Sequence, residues 1–594
     1  MKVRDVRFGP NSVTLTRASN GCLYVRSDYP LGPYPARLTD RLDHWAAKTP
    51  ERVFLAQRDL AQHGATGGWR TKTYAEAREA ARNIAQALLD RPVSMERPVA
   101  VLSGNDIEHG LIELGAMYAG VPYAPVSTAY SLVSTDFGKL RYIFSLLTPG
   151  LVYAADAKLY GKALDAVLPK DAELITAETF SRLSGTHATD AVDRAYARVT
   201  PDTVAKVLFT SGSTGVPKGV INTQRMLASN QEMVRSILAF TDEDPPILCD
   251  WMPWNHTFGG NHDFGWVLYN GGSLYIDEGR PTPGGIETTI RNLEDVRPNV
   301  YLNVPKGFEA LLPYLRDRAG FREKFFSRLK MFYYAGAGIS QPVWDELQRH
   351  AREQIGAEIL MFTGLGSTET GPAALFPGKD LRRAGDVGLP APGVELKLVP
   401  AEEKLELRLR SPSVTPGYWR QPELTQAAFD DEGFYKIGDA LRFVDPHDIQ
   451  KGFAFDGRLA EDFKLSTGTW VSMGPLRAKF LAHCSPYAQD VVIAGHERDD
   501  VTALIFPAHD ACKDLTPAQV RALFERLLRE LAASSTGSST RIARAMIMTE
   551  PPSIDKHEMT DKGSLNQGAI LRNRANLVEE LYATPPPPRV IIVT

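Results

Sequence analysis

Cysteine is scarce in this chain: four residues in 594, at positions 22, 249, 484 and 512, with no Cys-x-x-Cys spacing. That excludes a disulfide framework and a cysteine-built zinc site, and it fits a reducing compartment, so a cytoplasmic location is expected. An excess of either charge is also missing. Lys plus Arg number 67 against 71 Asp plus Glu, a net charge of −4, which leaves no basic field for nucleic acid. Charge runs such as Arg316-Asp317-Arg318 mix signs and read as solvated helix faces. No apolar run approaches the roughly 18 residues that a membrane span requires. The start, Met1-Lys2-Val3-Arg4-Asp5, has no hydrophobic signal core, so no membrane partner is expected. Internal repeats are absent too. What remains is ordinary globular composition, 43% hydrophobic and 23% charged, in a chain too long for one core.

The hydrophobic pattern predicts mixed α/β architecture. A hairpin opens the chain, with Ser12–Thr16 and Cys22–Val25 flanking an Asn20-Gly21 turn. Tyr74–Leu89 and His109–Ala119 carry helical spacing, while Val99–Leu102, Val121–Val126 and Val207–Phe209 read as strands. Such alternation predicts parallel sheets with helices on both faces, and ligands gather at the carboxyl ends of their strands. Phe332-Tyr333-Tyr334 running into Ala335-Gly336-Ala337-Gly338 repeats the strand-to-glycine pattern. Beyond residue 393, Val394–Leu398 and Leu405–Leu409 alternate and predict an antiparallel subdomain. A small α+β unit follows Arg458, with a loop at 533–540 and an extended tail at Pro585–Pro588.

The most informative segment is Leu208-Phe209-Thr210-Ser211-Gly212-Ser213-Thr214-Gly215-Val216-Pro217-Lys218-Gly219. An apolar strand end breaks into hydroxyls and glycines and closes on a Pro-Lys-Gly turn. Glycines free the backbone to aim several N–H groups at one anion, and the hydroxyls and the lysine add donors and charge. The composition suits a polyphosphate. It is not a Walker loop, because Pro217 precedes Lys218 and Gly219 follows it.

This segment resembles the phosphate-binding signature of the adenylate-forming superfamily of acyl-CoA synthetases, adenylation domains and luciferases. Other signatures follow in the family's order. Phe362-Thr363-Gly364-Leu365-Gly366-Ser367-Thr368-Glu369 resembles its aromatic-Gly-x-Thr-Glu element, and Tyr435-Lys436-Ile437-Gly438-Asp439 its Tyr-x-Thr-Gly-Asp. Gly457-Arg458 with Lys464 and Gly468 resembles the hinge segment, and Thr560-Asp561-Lys562-Gly563 sits where the family keeps a C-terminal lysine. The likeness spans roughly residues 40 to 575. Within the superfamily the feruloyl-CoA synthetase group is the most similar, through Val220–Met226 and Asp250–Gly260.

The resemblance implies a large N-terminal AMP-binding domain over residues 1–457, a hinge at 458–462 and a mobile C-terminal domain over 463–594. It implies ATP, magnesium and coenzyme A as cofactors and co-substrate. Thr210, Ser211, Gly212, Ser213, Thr214 and Gly215 are then phosphate contacts, and Lys218 assists the leaving pyrophosphate. Thr368 donates to the α-phosphate and Glu369 holds magnesium. Gly336, Ala337, Gly338 and Gly366 line the nucleotide, where Leu365 replaces the usual adenine-stacking aromatic. Asp439 and Arg458 hold the ribose, although Asp439 read alone is a turn former. Lys562 orients the carboxylate and the α-phosphate. Trp254, His256, Phe258, His262 and Gly364 line the acyl pocket, a composition suited to a flat aromatic acid. Ala460 departs from the family's hinge, and Asp561 and Gly563 from its commoner Ser-Gly-Lys order.

The activity implied is ATP-dependent ligation of a hydroxycinnamic acid to coenzyme A through an acyl-adenylate, by a monomer or homodimer. Other readings are ligation of another aromatic or medium-chain acid, a stand-alone enzyme loading a carrier protein, or a non-catalytic nucleotide-binding scaffold. No Gly-Gly-x-Ser attachment site follows the catalytic part, since Ser534–Ser539 does not fit one.

Overall fold

The computed structural model describes residues 2–59, 67–210, 216–378, 383–560 and 563–593. Among them the large N-terminal part is built from four sheets. The first runs in the order Lys218–Thr223, Val204–Thr210, Tyr123–Pro125, Val99–Leu102, Leu151–Ala154, Glu173–Thr176. It is parallel apart from the antiparallel edge strand Lys218–Thr223. A second sheet joins Ile247–Asp250, Ser273–Ile276, Val53–Arg58 and Trp69–Thr73, and a third joins Val300–Asn303, Met331–Tyr334 and Leu360–Phe362 in parallel. The parallel strands Val99–Leu102, Leu151–Ala154 and Met331–Tyr334 are buried throughout, as strands covered on both faces must be.

The helices on these sheets start where side chains can satisfy free N–H groups. Tyr74–Leu89 begins with a capping box: the Glu76 N–H donates to Thr73 Oγ1 at 3.2 Å and the Thr73 N–H to Glu76 Oε2 at 2.8 Å. Its partner Ile107–Ala119 is capped by Asp106 and buried along nearly its whole length. The two helices approach closely at Gly115, where a Cβ would lie 2.5 Å from Ile84. No larger residue fits there without the helices moving apart.

A nine-stranded sheet carries the antiparallel part in the order Val13–Arg17, Leu23–Ser27, Glu395–Ala401, Lys404–Arg410, Tyr435–Phe443, Phe453–Arg458, Asp386–Pro390, Ala373–Phe376, Leu365–Gly366. The N-terminal hairpin is present and is no isolated unit: it extends this sheet by pairing with Glu395–Ala401, nearly 400 residues away in sequence. The C-terminal part has its own sheet of Ala488–Ala494, Val501–Pro507, Ile542–Ile547 and Val590–Ile592, with a separate core around Phe480, Phe524 and Leu528. The proline tail therefore leads into a last strand that closes this sheet, because Val590, Ile591 and Ile592 can pair with Ile542–Ile547 and bury two of their side chains. Between the two parts, Lys404 Nζ donates to the Asp456 carbonyl at 2.6 Å and to Asp462 Oδ2 at 2.5 Å.

Candidate active site

The hairpin of Val204–Thr210 and Lys218–Thr223 sets Thr210 opposite Lys218 in register. Both residues thus stand at the mouth of the glycine-rich connection. Ser211, Gly212, Ser213, Thr214 and Gly215 lie outside the described residues, and so does Lys562.

Alongside Lys218–Thr223 runs the segment 415–421, held by Trp419 N–H to the Gly219 carbonyl at 2.6 Å and Ile221 N–H to the Gly417 carbonyl at 3.1 Å. This brings Tyr418 beside Lys218, whose Nζ lies 5.3 Å from the ring centroid. The Tyr418 hydroxyl donates to Glu369 Oε1 at 3.0 Å, and the Thr415 N–H donates to the Glu369 carbonyl at 2.8 Å. Glu369 and Thr368 belong to a single 3₁₀ turn, Thr368–Thr370, closed by Ser367 N–H to Thr370 Oγ1 at 2.8 Å. Burial, with the Glu369 charge adding to it, pushes the Tyr418 hydroxyl up. Burial does the same to Tyr435, again reinforced by Glu369. Both phenols therefore stay protonated and serve as donors. Sequence reading passed over Tyr418; a tyrosine directly after Gly417 and before the helix start Pro422-Glu423 was its only signal.

Strand Tyr435–Phe443 continues from Tyr435 to Asp439 through Gly438, whose φ of 82° requires glycine. Asp439 is paired in register with Arg458, and Arg458 Nε lies 3.4 Å from Asp439 Oδ1. The aspartate side chain is 8% exposed and the arginine 66%. Burial pushes the Asp439 carboxyl up to about 6, opposed by the Arg458 charge. A carboxylate beside an exposed guanidinium can, when ionised, accept hydroxyl donors from a bound molecule.

Strands Met331–Tyr334 and Leu360–Phe362 are parallel neighbours, so Gly336-Ala337-Gly338 and Gly364-Leu365-Gly366 leave the same carboxyl edge. The Thr363 hydroxyl ties the two by donating to the Tyr334 carbonyl at 2.8 Å. Gly336, Ala337 and Gly338 are exposed.

The acyl-side residues divide. Phe258, His262 and Gly364 gather around Tyr333: the ring centroids of Phe258 and His262 lie 6.0 and 4.8 Å from that of Tyr333. A Cβ on Gly364 would sit 2.9 Å from the Tyr333 hydroxyl. His256 is half-buried and accepts at Nδ1 from the Phe258 N–H at 3.3 Å. Trp254 is 1% exposed, with its ring 5.1 Å from both His109 and Phe264. Phe258–Asp263 is a π-helical turn, a geometry that recurs at functional sites. Buried groups hold it: Lys206 Nζ donates to the Gly260 carbonyl at 2.8 Å, and Gln231 Nε2 to the Asn261 carbonyl at 2.7 Å. Burial lowers His262 to about 3, so its ring is neutral; Nδ1 lies 2.8 Å from Asp263 Oδ1.

Magnesium would have Glu369 as its protein ligand. Among the described residues no group of three or more His, Cys, Asp or Glu side chains could hold a metal ion. One buried, oriented carboxylate fits this ion, which usually completes its shell with water and substrate phosphates. No described helix is long and apolar enough to cross a membrane.

Parallel-strand carboxyl ends near a Thr-Glu turn, an Asp–Arg pair on an antiparallel sheet and a separate C-terminal unit make up the architecture of the adenylate-forming enzymes. The family model "AMP-binding enzyme" matches residues 42–419 and "AMP-binding enzyme C-terminal domain" residues 462–585; the chain belongs to this family. Carboxylic acid reductase of Mycobacterium marinum is 25% identical over 538 residues, 82% of this chain and 44% of the reductase. Anthranilate–CoA ligase of Pseudomonas aeruginosa is 29% identical over 308 residues, 50% of this chain and 55% of the ligase. The chain spans about half the length of the curated relatives it matches. Among solved structures, ATP-bound MatB from Rhodopseudomonas palustris aligns with a TM-score of 0.68 at 22% identity, over 91% of this chain and 99% of that one. The anthranilate CoA ligase AuaEII in complex with anthranoyl-AMP aligns with a TM-score of 0.69 at 19% identity, over 93% and 99%. These likenesses establish the fold.

Proposed function

We propose that the protein joins an aromatic carboxylic acid, of the hydroxycinnamic type, to coenzyme A through an acyl-adenylate, with release of AMP and pyrophosphate. The observation that carries the reading is the convergence of Lys218, Tyr418 and Glu369 at the phosphate-loop mouth. Attack of a carboxylate on the α-phosphate brings an anion to a polyanion, and such a step is accelerated chiefly by charge placement and alignment. Lys218 supplies positive charge toward the departing pyrophosphate. Glu369, fixed by Tyr418, supplies the hard oxygen that holds magnesium, whose chemistry is to neutralise phosphate charge. Asp439 and Arg458 hold the ribose, and Lys562 of the C-terminal domain (463–594, beyond a hinge at 458–462) aligns the carboxylate and the phosphate. Phe258, His262, Tyr333 and Gly364 shape the acyl end, and their aromatic character supports a flat ring as its occupant.

Pyrophosphate release measured with ATP, magnesium and a panel of cinnamic, benzoic and medium-chain acids tests this. Ferulic, coumaric and caffeic acids should head the panel, with AMP release requiring coenzyme A. Preference for decanoate would overturn the substrate assignment alone, and no release with any acid would overturn the activity. The similarity to carboxylic acid reductases supports a second reading, in which the acyl group passes to a carrier protein; AMP release independent of coenzyme A would favour it.

A further inference from the structure

The segment 550–560 leaves the C-terminal sheet and reaches back to the large domain. Ile554 is 6% exposed and packs in the same hydrophobic cluster as Tyr130, Leu140, Phe144 and Trp419 of that domain. Its carbonyl accepts from Lys139 Nζ at 3.0 Å. Next to it, the Asp555 carboxylate takes three donors from one loop: Ser134 Oγ at 2.6 Å, the Thr135 N–H at 3.0 Å and Thr135 Oγ1 at 2.7 Å. Burial raises the Asp555 pKa, but these donors outweigh it and the net shift is downward, so the group is an anion at neutral pH.

The segment is equally fixed to its own domain. Arg574 donates to Glu558 through Nε at 3.0 Å and Nη2 at 2.7 Å, and to the carbonyls of Glu550 and Pro551 at 3.0 Å. Asn573 Nδ2 donates to the Lys556 carbonyl at 2.8 Å. Beyond Glu558, Met559 pairs with Leu565 and the Gly563 N–H donates to the Thr560 carbonyl at 3.0 Å. A hydrogen-bonded strut therefore runs from the large domain, through Asp555 and Glu558, to Thr560, two residues before Lys562 in sequence.

We propose that Asp555 is a positioning residue for adenylate formation: its clasp on Ser134 and Thr135, with Ile554 as the plug beside it, holds the C-terminal domain where Lys562 serves the first half-reaction. This rests on the role proposed above for Lys562. Three donors to one partly buried carboxylate form a charge-assisted set stronger than neutral hydrogen bonds. The clasp acts on one step only, because thiol attack on a finished adenylate has no use for Lys562.

The test separates the half-reactions, using the full chain and the best acid of the panel. Adenylate formation is read as pyrophosphate release, and thioester formation from pre-made adenylate and coenzyme A. Asp555→Ala should slow adenylate formation by roughly 10- to 100-fold while thioester formation stays within a few-fold of the parent. Ser134→Ala with Thr135→Val removes two donors from the other side of the clasp and should show the same selectivity. Combined with Asp555→Ala it should add little, since both break one interaction. Equal loss in both half-reactions, loss in neither, or full additivity overturns the clasp. If Asp555→Ala fails to fold, the Ser134/Thr135 pair decides alone. Lys562→Ala is the control: adenylate formation undiminished in that variant would overturn the underlying reading, whereas selective loss there with unselective loss in Asp555→Ala overturns the clasp only.

Discussion

The two groups of residues assigned above to the nucleotide end and the acyl end of the proposed site are held in opposite ways. At the nucleotide end, functional groups sit on turns and strand termini: the Thr368–Thr370 turn, Asp439 after Gly438, and Arg458 with two-thirds of its side chain exposed. At the acyl end, Phe258 and His262 sit on a buried π-helical turn fixed by Lys206 and Gln231 from below. The first arrangement leaves the Arg458 guanidinium exposed, with Glu369 and Asp439 buried beside Tyr418 and Arg458. The second spends its polar groups on internal support and packs its aromatic rings against Tyr333. In the proposed reaction a polyanion would use the former and a flat apolar ring the latter. Each prediction below breaks or sharpens this contrast.

The largest effect is expected beneath the acyl end. Lys206 is 1% exposed and pairs with the fully buried Glu113 at 2.6 Å. Lys206→Met would leave Glu113 buried without its partner, at a cost of about 3–5 kcal/mol in folding stability. Replacing both, as Lys206→Met with Glu113→Leu, should recover most of it, because no uncompensated charge remains. Denaturant titration of the three variants checks this. A silent single variant would mean that burial does not support the acyl end.

At the nucleotide end, Glu369→Gln should leave the melting temperature near that of the parent, since the Tyr418 hydroxyl still finds an acceptor. It should slow adenylate formation by an amount equivalent to ~2–4 kcal/mol, as for other lost charge-stabilising groups, and raise the magnesium concentration required. An unchanged magnesium titration would assign the metal to another carboxylate.

The contrast also decides what could be read from sequence. Strand-terminal motifs are local: Thr210 and Lys218, Thr368-Glu369 and Gly438-Asp439 each lie within a few residues of the glycine that shapes their turn, so chain order exposes them. The hairpin at Val13–Ser27 was legible for the same reason, whereas its addition to the sheet through Glu395–Ala401 was not. The acyl end depends on contacts distant in sequence. Lys206 precedes the apolar run Val207–Phe209, and only the fold shows that it is buried and reaches Glu113 and Gly260. The resemblance assigns Trp254 to the acyl side, and only the fold shows that its ring packs against His109 and Phe264. Tyr333 lay in a quoted strand, and only the pairing with Leu360–Phe362 brings Gly364 to its hydroxyl.

A smaller effect, at the nucleotide end, depends on pH. Burial raises the folded-state pKa of Asp439 to about 6, above the ordinary carboxylate value of 3.8. The protonated form is therefore favoured by folding. That contribution to stability is full below about pH 4 and is lost as pH rises through 6. Ribose hydroxyls need the ionised form as acceptor, so nucleotide affinity should weaken as pH falls below 6. Asp439→Asn should flatten this dependence and weaken binding by about 1.5–3 kcal/mol, the range for hydrogen bonds to a charged group. Calorimetric titration with AMP between pH 5 and 8 measures both. A parent profile as flat as the variant's would remove Asp439 from the ribose.

The smallest effect tests the acyl end by selectivity. Phe258 is 6% exposed and lies against His262 and Tyr333, so its ring is core, and the proposed acyl site would make it wall as well. As core, Phe258→Ala costs about 3–5 kcal/mol of stability. As wall, it changes the ranking of acids, and a hydrophobic slot separates substituents of one methyl or methoxy size by only about 1–3 kcal/mol. Phe258→Leu distinguishes the roles, since it keeps much of the apolar volume and removes the flat face. With a melting temperature close to the parent's, the ratio of kcat/KM for ferulate over coumarate should shift while the KM for ATP stays constant. An unchanged ratio in a stable Phe258→Leu protein would make Phe258 a packing residue. The wall would then be left to Tyr333 and Gly364, and the aromatic preference of the acyl end would rest on the strand Met331–Tyr334 instead of the π-helical turn.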